Sequence, residues 1–225
     1  MTKKSTWREF FEAIVIAFFL AMIIRFFVVQ AYQIPSGSML DTLLIGDKLL
    51  VNKMSYNLKV PFTDKVLARL GDPEAGDIIV FTFPDPNPDN ARKDYIKRVI
   101  GLPGDTVEMR GNVIYRNGRK MDEPYTRFTR DFRAVPDYYR VPGMFVQGNS
   151  HSFAPFTVPE DHYFVLGDNR DTSEDSRYWG FVRREAIHGR AWRIYWSWGS
   201  NPGDGGSAPF PDTGPRWSRI GRLVE

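Results

Sequence analysis

The stretch "DYIKRVIGLPGD", residues 94–105, decides how the chain is read. Its first half is aromatic and β-branched, and Pro103-Gly104 stops it, so it is a short strand closed by a turn. Side chains alternate across a strand. Tyr95, Lys97 and Val99 therefore share one face, and Ile96, Arg98 and Ile100 the other. Lys97 is set among apolar and aromatic neighbours, where burial disfavours an ammonium and lowers its pKa. Taken alone, a lysine in a strand is more often a solvated edge residue.

The same pattern of strand and turn recurs on both sides. "DKLLVNKMSY" (47–56) and "GDIIVFTF" (76–83) are β-branched runs that open near a Gly-Asp turn signal. "VIYRNGRKM" (113–121) holds Asn117-Gly118 between strand-like arms, a hairpin signal. "HYFVLGDNRDTSEDSRYWGFV" (162–182) reads as a strand, a polar loop and a second strand, and "GRAWRIYWSW" (189–198) as a further strand. In the last, Trp192, Trp196 and Trp198 share a face with Ile194, so they fill the core or dip into a membrane interface. Residues 83–94 form a polar loop, 126–160 an irregular subsidiary lobe, and 201–215 a flexible Gly/Pro loop. The expected fold is mainly β.

The composition excludes several chemistries. The 225 residues contain no cysteine, which removes disulfides, thiolate nucleophiles and zinc–thiolate sites. A net charge of +3 is too mild to argue for nucleic acid, yet it suits an anionic membrane surface.

Residues 10–29, "FFEAIVIAFFLAMIIRFFVV", carry only Glu12 and Arg25 as charges. About 20 residues of helix span about 30 Å, the thickness of a hydrocarbon core. A spanning anchor is favoured over a cleaved signal, since no small-x-small site follows cleanly, and over a buried helix, since little spare core exists to cover it. Lys3, Lys4 and Arg8 precede the segment and the next basic residue after Arg25 is Lys48. The positive-inside rule then leaves 1–9 in the cytoplasm and 30–225 outside.

Just beyond the anchor stands "QIPSGSML" (33–40). A serine nucleophile needs a base. His151, His162 and His188 lie in no triad-like setting. A lysine serves if it is neutral when reaction begins. Lowering Lys97 from about 10.4 to about 8 takes roughly 3 kcal/mol of desolvation. Arg98 is no base, because a guanidinium does not deprotonate in proteins. An extended chain gains about 3.5 Å per residue, so Ser38 lies within roughly 30 Å of lipid.

"PSGSM", "TLLIGDKLLVNK", "GDIIVF", "YIKRVIGLPGD" and "GDNRDTSEDSRYWG" follow one another in the order seen in the bacterial type I signal peptidases, and "RWSRIGRLV" near the C-terminus is also similar. The sequence resembles that family of membrane-anchored Ser/Lys endopeptidases over the anchor and most of residues 33–198. The resemblance implies antiparallel sheets in a partly closed barrel, with a subsidiary β lobe. It makes Ser38 the nucleophile and Lys97 the general base. Ser36 and the backbone N–H of Ser38 become the oxyanion hole, and Ser173 the serine that orients the lysine. Asp168, Arg170, Asp175 and Arg177 become supports of the site walls. Ile34, Pro35, Met39, Leu43, Tyr95 and Ile96 become the lining of shallow pockets for small side chains. The implied partners are precursors bearing signal peptides and membrane lipid, with no nucleic acid, no metal and no cofactor, and a monomer is expected. The implied location is the bacterial cytoplasmic membrane.

Alternatives stand beside this reading. The chain could be a paralogue that processes a narrow set of surface proteins, or a catalytically silent tethered scaffold. A self-cleaving Ser/Lys repressor would need a DNA-binding module. The acidic loop 168–175 has Arg170 and Ser173 where a calcium loop needs a ligand and a glycine. Asp41 stands where the family usually has proline, and is expected to cap the residues after it.

Overall fold

The computed structural model describes residues 6–60, 63, 65–84, 93–128, 152–199 and 214–225. It opens with α1 (Thr6–Ile23), which runs into a π-helical turn over Ile24–Val28. Trp7–Val28 makes 22 residues of helix, long and apolar enough to cross a membrane, and its apolar window is left uncovered by the rest of the protein.

Strands take over at Val29, where Gln30 and Gln33 end the continuous apolar run. In chain order they are β1 (Val29–Gln33), β2 (Asp47–Asn52), β3 (Asn57–Lys59), β4 (Val66–Arg69) and β5 (Ile78–Thr82). There follow β6 (Asp94–Gly101), β7 (Thr106–Arg110), β8 (Val113–Arg116), β9 (Arg119–Lys120) and β10 (Phe153–Thr157). The rest are β11 (His162–Leu166), β12 (Val182–Arg183), β13 (Ile187–Gly199) and β14 (Gly214–Pro215), with a one-turn helix α2 (Ser176–Trp179) between β11 and β12. The fold is mainly β, and its ladders are antiparallel.

The main sheet has the order β1-β2-β13-β5-β6-β11-β12, with β14 added to β13. A second sheet has the order β10-β7-β8-β9, and β3 pairs β4 apart from both. The apolar run of β5 is explained by burial on both faces. Ile78 and Val80 pack with Leu49, Val51 and Ile194, whereas Ile79 and Phe81 pack with Val99, Val165 and Ile187. A third apolar group, around Val107, Met109, Ile114 and Phe164, joins the two larger sheets.

Several local expectations change. The strand from Asp47 ends at Asn52, because the Asn52 side chain accepts the Met54 N–H at 3.0 Å and turns the chain into a 3-10 helix. The second strand expected in 162–182 begins instead as α2, capped by Asp175. Phe153–Thr157, expected to be irregular, pairs with β7 as an edge strand. Gly214–Pro215, placed in a flexible loop, pairs with Trp198 and Gly199. Residues 85–92, 129–151 and 201–213 of the expected loops and lobe lie outside the described residues, as does His151. The hairpin at Asn117-Gly118 forms as expected, with both residues at positive φ.

The tryptophans of β13 need a correction. Bulges between Ala191 and Arg193 and between Ile194 and Trp196 break the alternation. Ala191, Ile194 and Ser197 turn inward, while Trp192, Tyr195, Trp198 and Trp217 are exposed and the half-buried Trp196 packs against both Trp198 and Trp217. These exposed rings are not core.

The C-terminal segment locks onto β2 through Asp47. This buried carboxylate accepts bonds from Arg216, Arg219 and Ser197 Oγ. Removing it would strand buried guanidinium groups. Asp47→Ala should destabilise the full-length chain in detergent by about 3–5 kcal/mol on chemical denaturation. A loss below about 1 kcal/mol would show that the pair does not fasten the segment.

Candidate active site

The serine sits where β1 leaves the sheet. The chain turns after Gln33, and apolar anchors hold it down on both sides of Ser38. Ile34 comes before it, and Met39 and Leu43 after it, all packed against Leu49, Val51 and Ile194. The Leu43 N–H donates to Met39 O at 2.8 Å and closes the turn. Ser38 is left 8 % exposed.

β6 delivers Lys97 to that serine from 59 positions away. Nζ donates to Ser38 Oγ at 2.8 Å and to Ile96 O at 3.0 Å. Lys97 is 4 % exposed, and Nζ lies 5.5 Å from the Tyr95 ring centroid, in keeping with the shared face. Burial pulls its pKa down to about 8, against the raising pull of Asp175, Glu174 and Asp168. Arg177 adds to the lowering.

The two buried carboxylates would defeat that burial if they stood alone. Each has its own arginine. Arg98 donates Nε to Asp168 Oδ1 and one terminal nitrogen to Oδ2, both at 2.8 Å. Arg177 holds Asp175 at 2.8 and 2.9 Å. Burial alone would raise the Asp175 pKa, but the Arg177 charge and bonds, with the Gly167 N–H, hold it below the usual carboxylate range. A paired carboxylate projects a weaker field, so the amine keeps its low pKa.

The loop 167–177 gathers the expected supports. Arg170 donates to Gly167 O at 3.1 Å and pairs with Glu123. Arg177 donates to Arg170 O at 2.6 Å. Gly167 allows this closeness, since a Cβ there would meet Ser173 Oγ at 2.2 Å and Ser38 O at 2.5 Å. Arg170, Asp175 and Arg177 thus form one buried network, and Asp168 with Arg98 a second pair, beside the Ser38–Lys97 contact.

The other expected site residues fall in different places. Ser173 is buried nearby, but its hydroxyl makes no hydrogen bond to Lys97, and it lies by the Asp175 carboxylate outside bonding geometry. The group that holds Nζ is the Ile96 carbonyl. Ser36 is exposed on the turn. Ile34, Met39 and Leu43 belong to the core, so they can floor a pocket but not line its surface, whereas Pro35, Tyr95 and Ile96 keep open surface.

The contacts of three residues escaped the sequence. Asn169 donates its N–H to Ser38 O and its Nδ2 to Gly37 O, each at 3.1 Å. Thr42 Oγ1 donates to Asp168 Oδ2 at 2.6 Å. Arg98, dismissed as a base, stacks on the Tyr125 ring at 3.7 Å while it pairs with Asp168. All three depend on long-range approach, and no local spacing marks them.

The family signature described as "Signal peptidase, peptidase S26" matches residues 7–196. A probable signal peptidase I-2 of Synechocystis sp. is 41% identical over 194 residues, covering 86% of this chain and 75% of its own length. Signal peptidase I of Pseudomonas aeruginosa is 36% identical over 229 residues, covering 90% of this chain and 74% of its own. A solved signal peptidase I from Enterococcus faecalis is 36% identical and covers 53% of this chain and 97% of its own, at a TM-score of 0.37. That overlap carries no weight for the fold, which rests on the strand pairings above.

A lysine whose pKa falls on folding opposes folding wherever the unfolded chain carries it as the ammonium. The penalty is complete below pH 8 and fades as pH rises from about 8 to 10.5. Lys97→Met should therefore raise stability at pH 7 by up to about 3 kcal/mol, with the gain gone by about pH 11. A lower melting temperature for this variant at pH 7 would contradict the buried-cation account.

Proposed function

The chain belongs to the signal peptidase family, peptidase S26, and we propose that it removes N-terminal signal peptides from exported precursors with Ser38 as nucleophile and Lys97 as general base. The observation that carries this reading is the 2.8 Å contact between Lys97 Nζ and Ser38 Oγ in a buried setting. With the amine neutral, its lone pair accepts the Ser38 hydroxyl proton as Oγ attacks the scissile carbonyl. The C–N bond then breaks, the ammonium returns its proton to the leaving amine, and an acyl ester remains on Ser38. A water deprotonated by the same amine attacks the ester, the acyl C–Oγ bond breaks, and the ammonium returns its proton to Ser38 Oγ as the carboxylate product leaves. The Ser38 N–H and the Ser36 hydroxyl receive the oxyanion. Arg98 and Arg177 act on the pKa by neutralising Asp168 and Asp175.

The sheet offers a berth for the substrate. β5 pairs β6 from Asp94 to Arg98, but β11 pairs it only from Arg98 to Gly101. No strand runs along the Asp94–Lys97 edge on the β11 side among the described residues. An extended peptide can add there through backbone bonds, which presents its carbonyl beside Lys97. Pro35, Tyr95 and Ile96 then line the pockets, with Ile34, Met39 and Leu43 behind them.

The anchor sets which bonds are met. Trp7–Val28 spans the membrane with its N-terminus in the cytoplasm, and the catalytic domain sits on the outer face. The exposed Trp192, Tyr195, Trp198 and Trp217 suit the headgroup layer. A signal peptide's cleavage site, just past an apolar segment, is held at that depth.

Ser38→Ala and Lys97→Arg should both abolish processing of an exported precursor, because the guanidinium keeps the charge but not the basicity. For the wild type, kcat/KM should be half-maximal near pH 8 and fall about tenfold per pH unit below it, as the neutral amine is lost. A flat profile down to pH 5, or turnover by Lys97→Arg, would remove Lys97 from the role of base. Ser36→Ala should lower kcat by roughly 10²- to 10³-fold, and an unchanged rate would take Ser36 out of the oxyanion site.

A further inference from the structure

Asp41 lies three residues beyond Ser38, on the same turn. It was expected to cap the residues after it. Instead Asp41 Oδ1 accepts a bond from an Arg127 terminal nitrogen at 2.6 Å, across 86 positions of sequence. Arg127 is itself fixed by its backbone. Its N–H donates to Asp168 O at 2.8 Å, and its carbonyl accepts the Arg170 N–H at 2.9 Å. It forms a parallel bridge with Asn169. Asn169 in turn holds Gly37 O and Ser38 O. The segment 168–170 and the Arg127 bridged to it therefore both grip the nucleophile turn, and Asp168 Oδ2 also accepts Thr42 Oγ1 on it at 2.6 Å. Asn169 holds it at Gly37 and Ser38, and Arg127 holds it at Asp41.

We propose that the Asp41–Arg127 ion pair is a positioning clasp for the nucleophile. It restrains the outer limb of the turn, where no proline fixes φ, and so sets how often Ser38 Oγ faces the Lys97 amine. Asp41 and Arg127 are positioning residues, and neither touches the reacting atoms. The inference rests on Ser38 being the nucleophile.

The pair is open to solvent, with side chains 62% and 38% exposed. An exposed pair adds little to global stability. A clasp of this kind should show in turnover, not in melting temperature. Exposure also means that substitutions here leave the core intact.

The test compares full-length wild type, Asp41→Asn, Arg127→Gln and the exchanged pair Asp41→Arg/Arg127→Asp in detergent, on an exported precursor, with Ser38→Ala alongside. Each single variant should lower kcat by roughly 2- to 5-fold with KM and melting temperature nearly unchanged, the range that the strength of an exposed pair allows. The exchanged pair should recover most of the loss, which a purely structural role for either residue would not produce. Wild-type kcat in both single variants, or an exchanged pair no faster than the singles, would overturn the clasp. Activity in Ser38→Ala would instead remove the nucleophile reading, and the clasp with it.

Discussion

A primary amine taken out of water is the constraint around which this structure is arranged. Lys97 is 4 % exposed, and its hydrogen bonds go to a hydroxyl and a backbone carbonyl. Burial costs the ammonium form its hydration, and this moves the pKa toward neutrality. The chemistry proposed for the site needs that shift. A lysine left in water is protonated at neutral pH and has no lone pair to offer.

Keeping the amine basic requires control over the carboxylates around it. Asp168 and Asp175 are both buried, and both pull the lysine toward its charged form. The protein answers with Arg98 and Arg177, each bound through two nitrogens. Paired in this way the carboxylates become structural ties. Asp168 also accepts Thr42, and Asp175 also accepts the Gly167 N–H and caps α2. The groups that stiffen the loop 167–177 are the groups that quiet its field. Stability is given up at Lys97, while packing and the buried pairs hold the scaffold around it.

Much of this was legible in the chain. β6 announced itself through alternation and a Pro-Gly stop, and the apolar N-terminal helix through its length and lack of charge. The Asn117-Gly118 hairpin followed from turn chemistry. The join between Ser38 and Lys97 was different in kind. Nothing in the periodicity of either segment brings together residues 59 positions apart, and only the order of motifs shared with the signal peptidases suggested it. Contacts made after the chain has folded left no local mark. Asn169 lay unnoticed between two flagged residues, and Arg127 stood at the edge of a lobe read as irregular. The bulges in β13 also escaped, because alternation is the very rule a bulge breaks. For Ser173 only the resemblance speaks, and its hydroxyl lies near Asp175 with Nζ held by the Ile96 carbonyl.

The chemistry proposed for the site turns on the protonation of one nitrogen. Heteronuclear NMR titration of the lysine side chains in the full-length chain in micelles, with Lys97 assigned by its loss in Lys97→Met, reads its protonation without reference to turnover. A midpoint near 8 is expected for Lys97. A midpoint near 10.5, the value of a lysine in water, would contradict it.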